Sequence, residues 1–256
     1  MLQRADSDDA SINLSLGTSL YLFRDLFPTA WTNWETINIA DQAIVKLMNS
    51  LTQYSYKPFA GDSNQDVIDP RTYYWLGEYL NTLVDPPSDY SLVTTWFLDI
   101  NTNRETYYHN YAMPFNVNNV DGSVCANTIQ GLTRAVLYNP SPSVNWFTTD
   151  VQSLYNNTVN QLAWIINTQV IEQRPDLVLL YYMGNYNFYW FVSRTVYILN
   201  SYPNALPFPV LTNAQAQLTN VMRTNATQSI LNAGSCFLFR LFSSPAPDRS
   251  LFVKRK

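Results

Sequence analysis

Apolar side chains return every three or four residues along most of the chain, and prolines or turn clusters cut that rhythm into lengths suited to single helices. Ile37, Ala40, Ile44, Leu47, Met48 and Leu51 make one stripe, with Asn38, Asp41, Gln42 and Lys46 away from it, which predicts an amphipathic helix over 33–52. Asp69-Pro70 opens a second helix over 71–84, with Leu76, Tyr79, Leu80 and Leu83 on one face and Pro86-Pro87 closing it. Asp121 is a natural N-cap for a third over 122–138, whose apolar face is Val124, Thr128, Ile129, Leu132 and Val136. Tyr155, Val159, Leu162, Ile166 and Val170 predict a fourth over 151–171, with Asn156, Asn160 and Gln161 pointing outward. Residues 186–200 are apolar nearly all round, as in a buried helix, and Leu218, Val221, Met222 and Ile230 mark a last one. The chain therefore reads as all-α.

Outside these lengths the pattern weakens. Residues 1–30 read as an irregular N-terminal segment: Ser11 to Phe23 has mixed period and fits either a strand or a short helix, and Pro28 stops whatever precedes it. Residues 55–70 are dense in turn formers, 92–100 fit a short helix or a strand, with helix the expectation, and 101–119 read as loop. After Gly234 no period is convincing. The division expected is an N-terminal segment over 1–30, a helical α/α domain over 31–233 and a C-terminal tail over 234–256.

Helices with a wet outer face (33–52, 151–171) alternate with helices read as buried (71–84, 122–138, 186–200). Tyr74-Trp75 and Tyr189-Trp190 hold matching places near the starts of two buried helices, a weak internal echo. The run N-N-V-D-G-S-V-C-A-N-T-I-Q-G-L, the polar loop before it and these aromatic-headed helices resemble α/α-toroid proteins of the terpenoid-cyclase-like and six-hairpin glycosidase-like groups. The resemblance implies an α/α toroid, or an incomplete one given the short chain, of alternating inner and outer helices. It also implies a ligand pocket at the inner-helix N-termini, near 69–75, 118–123 and 185–190. The consecutive aspartates of terpenoid cyclases are absent, so a glycoside hydrolase- or lyase-like activity on carbohydrate is the expectation, and a non-catalytic helical binding or scaffold protein is the alternative.

Composition narrows the ligand. Charged residues are only 13%, with 18 Tyr and 7 Trp among the aromatics, so hydrogen bonding falls to amides, hydroxyls and aromatic tips. That surface suits a saccharide or another uncharged polar ligand. A net charge of −4 and a pI near 4.9 leave no basic stripe for nucleic acid, and Lys254-Arg255-Lys256 reads as a solvated tail. No run is long enough for a transmembrane segment. No cofactor is expected, because seven glycines include no phosphate-cradling loop, and one histidine makes a zinc site improbable. Three sequons, at Asn13, Asn156 and Asn225, are candidate glycosylation sites, and Cys125 and Cys236 are either a disulfide or two buried thiols. These point to an extracellular protein, although residues 1–9 lack the features of a signal peptide.

Glycoside hydrolysis needs two carboxyl groups across the scissile bond. Asp121, with Asp69, Glu78 or Glu105, supplies the candidate catalytic acids, while helix capping is the bland role of Asp121. Candidate substrate-binding residues are Tyr74, Trp75, Asn118, Asn187, Tyr189, Trp190 and the lone His109.

Overall fold

The structure is a computed structural model that describes residues 6–38, 40–62, 67–97 and 118–233. It is predominantly helical. Among the described residues, β-pairing is confined to three isolated bridges, Asp6 with Trp96, Tyr56 with Leu92 and Ile68 with Asn118.

The helices run α1 (Ser7–Leu22), α2 (Pro28–Asn38), α3 (Ala40–Gln53), α4 (Pro70–Leu80), α5 (Gly122–Tyr138), α6 (Thr149–Thr168), the short α7 (Val170–Gln173) and α8 (Pro175–Val178), then α9 (Asn185–Ser201) and α10 (Pro209–Val221). A π turn, Met222–Ala226, follows α10, and the chain stays helical to residue 233.

The centre is α5. Fifteen of its 17 residues are buried, on every face, and α1, α6 and α9 pack around it. In turn α10 lies against α6 and α9, α3 against α6, and α4 against α8. Leu76, Leu92, Ile129, Leu132, Leu154, Leu162, Ile165, Phe188 and Leu211 are among the buried side chains that join these helices into one core.

Residues 1–30 are where the sequence reading departs furthest from the structure. The described part, from residue 6, contains all of α1 and the start of α2. Asp6 caps α1 by accepting from the Asp9 amide at 2.6 Å, and Asp8 and Asp9 sit in the first turn, where the helix dipole favours carboxylates. Its buried face is Ser7, Asp8, Ser11, Leu14, Ser15, Gly17 and Thr18, so an apolar stripe is almost absent although the helix is deeply packed. Small side chains let it approach α5 closely: a Cβ built on Gly131 would stand 2.5 Å from the Ser11 carbonyl oxygen. Pro28 occupies the first turn of α2, a place it tolerates well, rather than only ending what precedes it.

Other differences are smaller. The helix expected over 33–52 is two, α2 and α3, and Ile37 is 80% exposed, while Ile44, Met48 and Leu51 are buried. Residues 92–97, the described part of the helix expected over 92–100, are extended: Leu92 exchanges both backbone bonds with Tyr56 at 3.0 Å, and the Thr95 amide donates to the Asn119 carbonyl at 2.9 Å. Burial does not simply alternate. The outer face of α4 carries exposed Tyr73, Tyr74 and Glu78, and α9 exposes Trp190 and Tyr197, so neither is buried all round. Gln161, expected to face outward on α6, is fully buried. The tail over 234–256 lies outside the described residues.

Candidate functional site

Asp121 is a helix cap with no acceptor capacity to spare. Its Oδ1 accepts from the Ser123 and Val124 amides at 2.8 and 2.9 Å and from the Ser123 hydroxyl. Its Oδ2 accepts from the Leu180 and Tyr181 amides at 2.5 and 3.2 Å. Burial raises its pKa, and these donors, which favour the ionised form, pull against that rise. Trp75, 1% exposed, donates its indole N–H to the Leu177 carbonyl at 3.1 Å. The Tyr181 hydroxyl accepts from Trp96 at 3.0 Å and from Asn119 at 3.1 Å. Asp121 and Trp75 are thus brought together, as anchors for the 177–181 segment.

The remaining expected residues are dispersed. Asn118 braces Trp96, accepting from its amide at 3.2 Å and donating to its carbonyl at 2.7 Å. Glu78 is exposed on α4, and Tyr74, also exposed, has the Arg174 guanidinium 5.3 Å from its ring centre. Asn187 is exposed in the first turn of α9. Tyr189 is buried and donates to Glu172 at 2.7 Å beside a recess of about 290 Å³ at the start of α9, whereas Trp190 is 57% exposed under the Arg194 guanidinium at 4.8 Å. The two Tyr-Trp pairs are therefore opposite in burial: tryptophan is inside in the first, tyrosine in the second. Asn13, Asn156 and Asn225 each use the side-chain amide in a hydrogen bond within or between helices. Glu105, His109 and Cys236 lie outside the described residues, so the pairing of Cys236 with the buried Cys125 does too. Among the described residues no group of histidine, cysteine and acidic side chains could hold a metal ion.

The densest polar constellation lies elsewhere, between α1, α5 and α9. From α1 come Asp8, Ser11 and Ser15, at i, i+3 and i+7 on one face. From α5 come Asn127, Gln130 and Arg134, at the same spacing. The stripes are laced together by Thr128 donating to the Ser7 carbonyl at 3.3 Å and by Gln130 donating to Ser15 at 3.3 Å. From α9, Arg194 donates to the Gln130 carbonyl oxygen at 2.9 Å. Tyr182, just before α9, donates to Asp8 and sets its ring edge-on to Phe191 at 5.3 Å.

The seam is strongly desolvated and only partly satisfied. Asp8, Ser11 and Asn127 are each at most 3% exposed, yet Asp8 Oδ1, the Ser11 hydroxyl, Asn127 Oδ1 and Arg134 Nε have no hydrogen-bond partner among the described residues. Orphaned buried polar atoms are costly one by one; four fall in this layer, and the others among the described residues are spread over Thr72, Thr95, Asn119, Ser141, Gln161 and Thr195. Burial pushes the Asp8 carboxyl up to about 6, with Asp6 and Asp9 adding to the rise and the Tyr182 hydroxyl and the neighbouring Asn127 amide restraining it. Burial, and then the nearby Arg134 charge, lower the pKa of Arg194.

None of these seam residues was singled out from the sequence. The signal available was the polar stripe Asn127, Gln130, Arg134 on a helix whose other faces are apolar. No family model matches the chain, nor does any curated protein or solved structure.

Proposed function

We propose that this protein is a non-catalytic helical binding protein whose ligand seat is the polar seam between α1, α5 and α9. The observation that carries the reading is the set of unpartnered, buried polar atoms supplied by α1 and α5 to one interhelical layer. A small ligand with several hydrogen-bonding groups meets that need, and the mixture of hydroxyl, amide, carboxyl and guanidinium groups is what such a ligand requires.

This reading is preferred to a carbohydrate-active enzyme because, among the described residues, the candidate acids are not free for a catalytic pair. Asp121 spends both oxygens on backbone and side-chain donors, and Glu78 stands on the outer surface of α4. An α/α-toroid arrangement would put a pocket at the N-termini of inner helices. At the start of α5 that position is taken by the 180–181 backbone, which favours a bundle gathered around α5.

The test is a thermal-shift screen of saccharides, polyols, amino acids, carboxylates and phosphates against the wild type and Asn127→Leu. Stabilisation of the wild type by one class, lost in Asn127→Leu while the helical circular dichroism is kept, supports the seat. Oligosaccharide turnover abolished by Glu78→Gln would reinstate the enzyme.

A further inference from the structure

The seam has a polarity along its length. At one end sits Asp8, with its hydroxyl donor Tyr182. Towards the other end are two arginines from different helices: Arg194 on α9 donates to Gln130 at 2.9 Å, and Arg134 stands one helical turn beyond Gln130 on the same face of α5. Neither forms a salt bridge among the described residues, where the ion pairs are Arg71 with Asp69 and Arg174 with Asp176. Arg194 is partly spoken for: it donates to Gln130 and lies over the Trp190 ring, both of which fix its plane. Arg134 is not. Its Nε is buried with no acceptor among the described residues.

Two guanidiniums held together in a partly desolvated layer repel, and the arrangement costs free energy unless an anion lies between them. Guanidinium planes are suited to that task, because each presents paired donors that match the oxygens of a carboxylate or phosphate. Asp8 does not serve as that anion. It forms no salt bridge with either arginine among the described residues, and its Oδ2 is committed to Tyr182.

We propose that Arg134 and Arg194 together receive one oxyanion group, a carboxylate or a phosphate, of the small ligand seated between α1, α5 and α9. This rests on the seam being the ligand seat. The remaining polar groups then read the ligand's uncharged part: Gln130 lies between Ser15 and Arg194, and Asn127 and Ser11 offer unpartnered acceptors or donors deeper in. The uncharged saccharide suggested by composition gives way to an acidic small molecule such as a hydroxy acid, a uronic acid or a phosphate ester.

The experiment is isothermal titration and thermal shift with sodium phosphate and sodium acetate, against sodium chloride at matched ionic strength. The proteins are the wild type, Arg134→Gln, Arg194→Gln, Arg134→Lys and the distant control Arg223→Gln. Phosphate, acetate or both should bind the wild type and the control, with affinity lower by roughly tenfold or more in each Gln variant. Which anion binds more tightly separates phosphate ester from carboxylate. Arg134→Lys keeps the charge and guards against a Gln variant that fails to fold: it should bind better than Arg134→Gln. Uncharged saccharides or polyols binding at the seam while neither anion does would overturn the oxyanion assignment and leave the seat standing. No binding by any class overturns both.

Discussion

The hydroxyl of Tyr182 donates to the carboxylate of Asp8, 174 residues earlier in the chain. That bond ties the entry to α9 to the first turn of α1, and it does so beside a carboxyl group whose other oxygen has no partner among the described residues. Asp8 is held in a setting that disfavours its ionised form.

A pH dependence follows. The folded chain keeps a proton on Asp8 up to about pH 6, whereas the unfolded chain releases it near 3.8. The native state therefore binds more protons between those values, and the contribution of Asp8 falls as pH rises through that window and is flat above it. The loss is about 1–3 kcal/mol by linkage. Groups acting on Asp8 are Asp6 and Asp9 on its own segment, Asn127 from α5, and Tyr182 and Arg194 from the α9 side. In Asp8→Asn, urea midpoints at pH 4.5 and 7.5 should differ less than in the wild type. An unchanged difference would remove Asp8 as the source.

Gly131 and Gly77 make a matched pair. Alanine at Gly131 puts a Cβ 2.5 Å from the Ser11 carbonyl oxygen, a backbone atom that can move only if α1 moves. Gly131→Ala should cost about 1–3 kcal/mol by overpacking. At Gly77 the nearest atoms are Tyr73 ring carbons at 3.5 Å, an ordinary contact, so Gly77→Ala should stabilise α4 by about 0.5–1 kcal/mol. Chemical denaturation of both variants decides it. Equal effects would mean that α1 does not press on α5 at Gly131.

Replacing Asp121 by Asn leaves one side-chain oxygen where the native carboxylate serves amides at both ends, and turns an amide toward backbone donors. The expected loss is about 2–4 kcal/mol, since a buried cap and a long-range staple fail together. Proteolysis near 177–182 should quicken as that segment loosens. Wild-type stability with a selective loss of ligand binding would make Asp121 a ligand contact instead.

Gln161 carries two buried amide atoms without partners among the described residues and is fully buried on α6. Gln161→Met keeps the length of the side chain while removing both, and should be neutral or stabilising by about 1–2 kcal/mol. Thermal unfolding with m-values measured alongside checks this. A clear loss of stability would show that the amide is satisfied in solution.

Helices with an aliphatic stripe were readable from spacing alone. The cap at Asp121, the opening at Asp69-Pro70 and the extent of 122–138 follow from local rules that tertiary packing leaves intact. The first helix was not readable, because burial there is carried by serine, threonine and glycine, which scan as loop formers when only hydrophobicity is tracked. The seam escaped for the same reason. Asn127, Gln130 and Arg134 stood inside a helix already recognised as buried, but their partners come from α1 and α9, and no spacing within α5 announces who faces it. Asp121 attracted notice because a carboxylate before Gly-Ser is conspicuous, and its neighbours 180–181 could not be foreseen from 59 positions away.

The serine-lined contact between α1 and α5 bears on how the protein is made. Ser7 and Thr128 touch across 121 positions, so a ribosome adding about 5–20 residues per second spends roughly 6–24 s between the two. For that interval α1 waits without its partner. A waiting surface of hydroxyls and glycine is tolerated by water far better than one of leucines, and it gives neighbouring nascent chains little to stick to. The features that hide this helix from a hydrophobicity scan also shield it until α5 arrives.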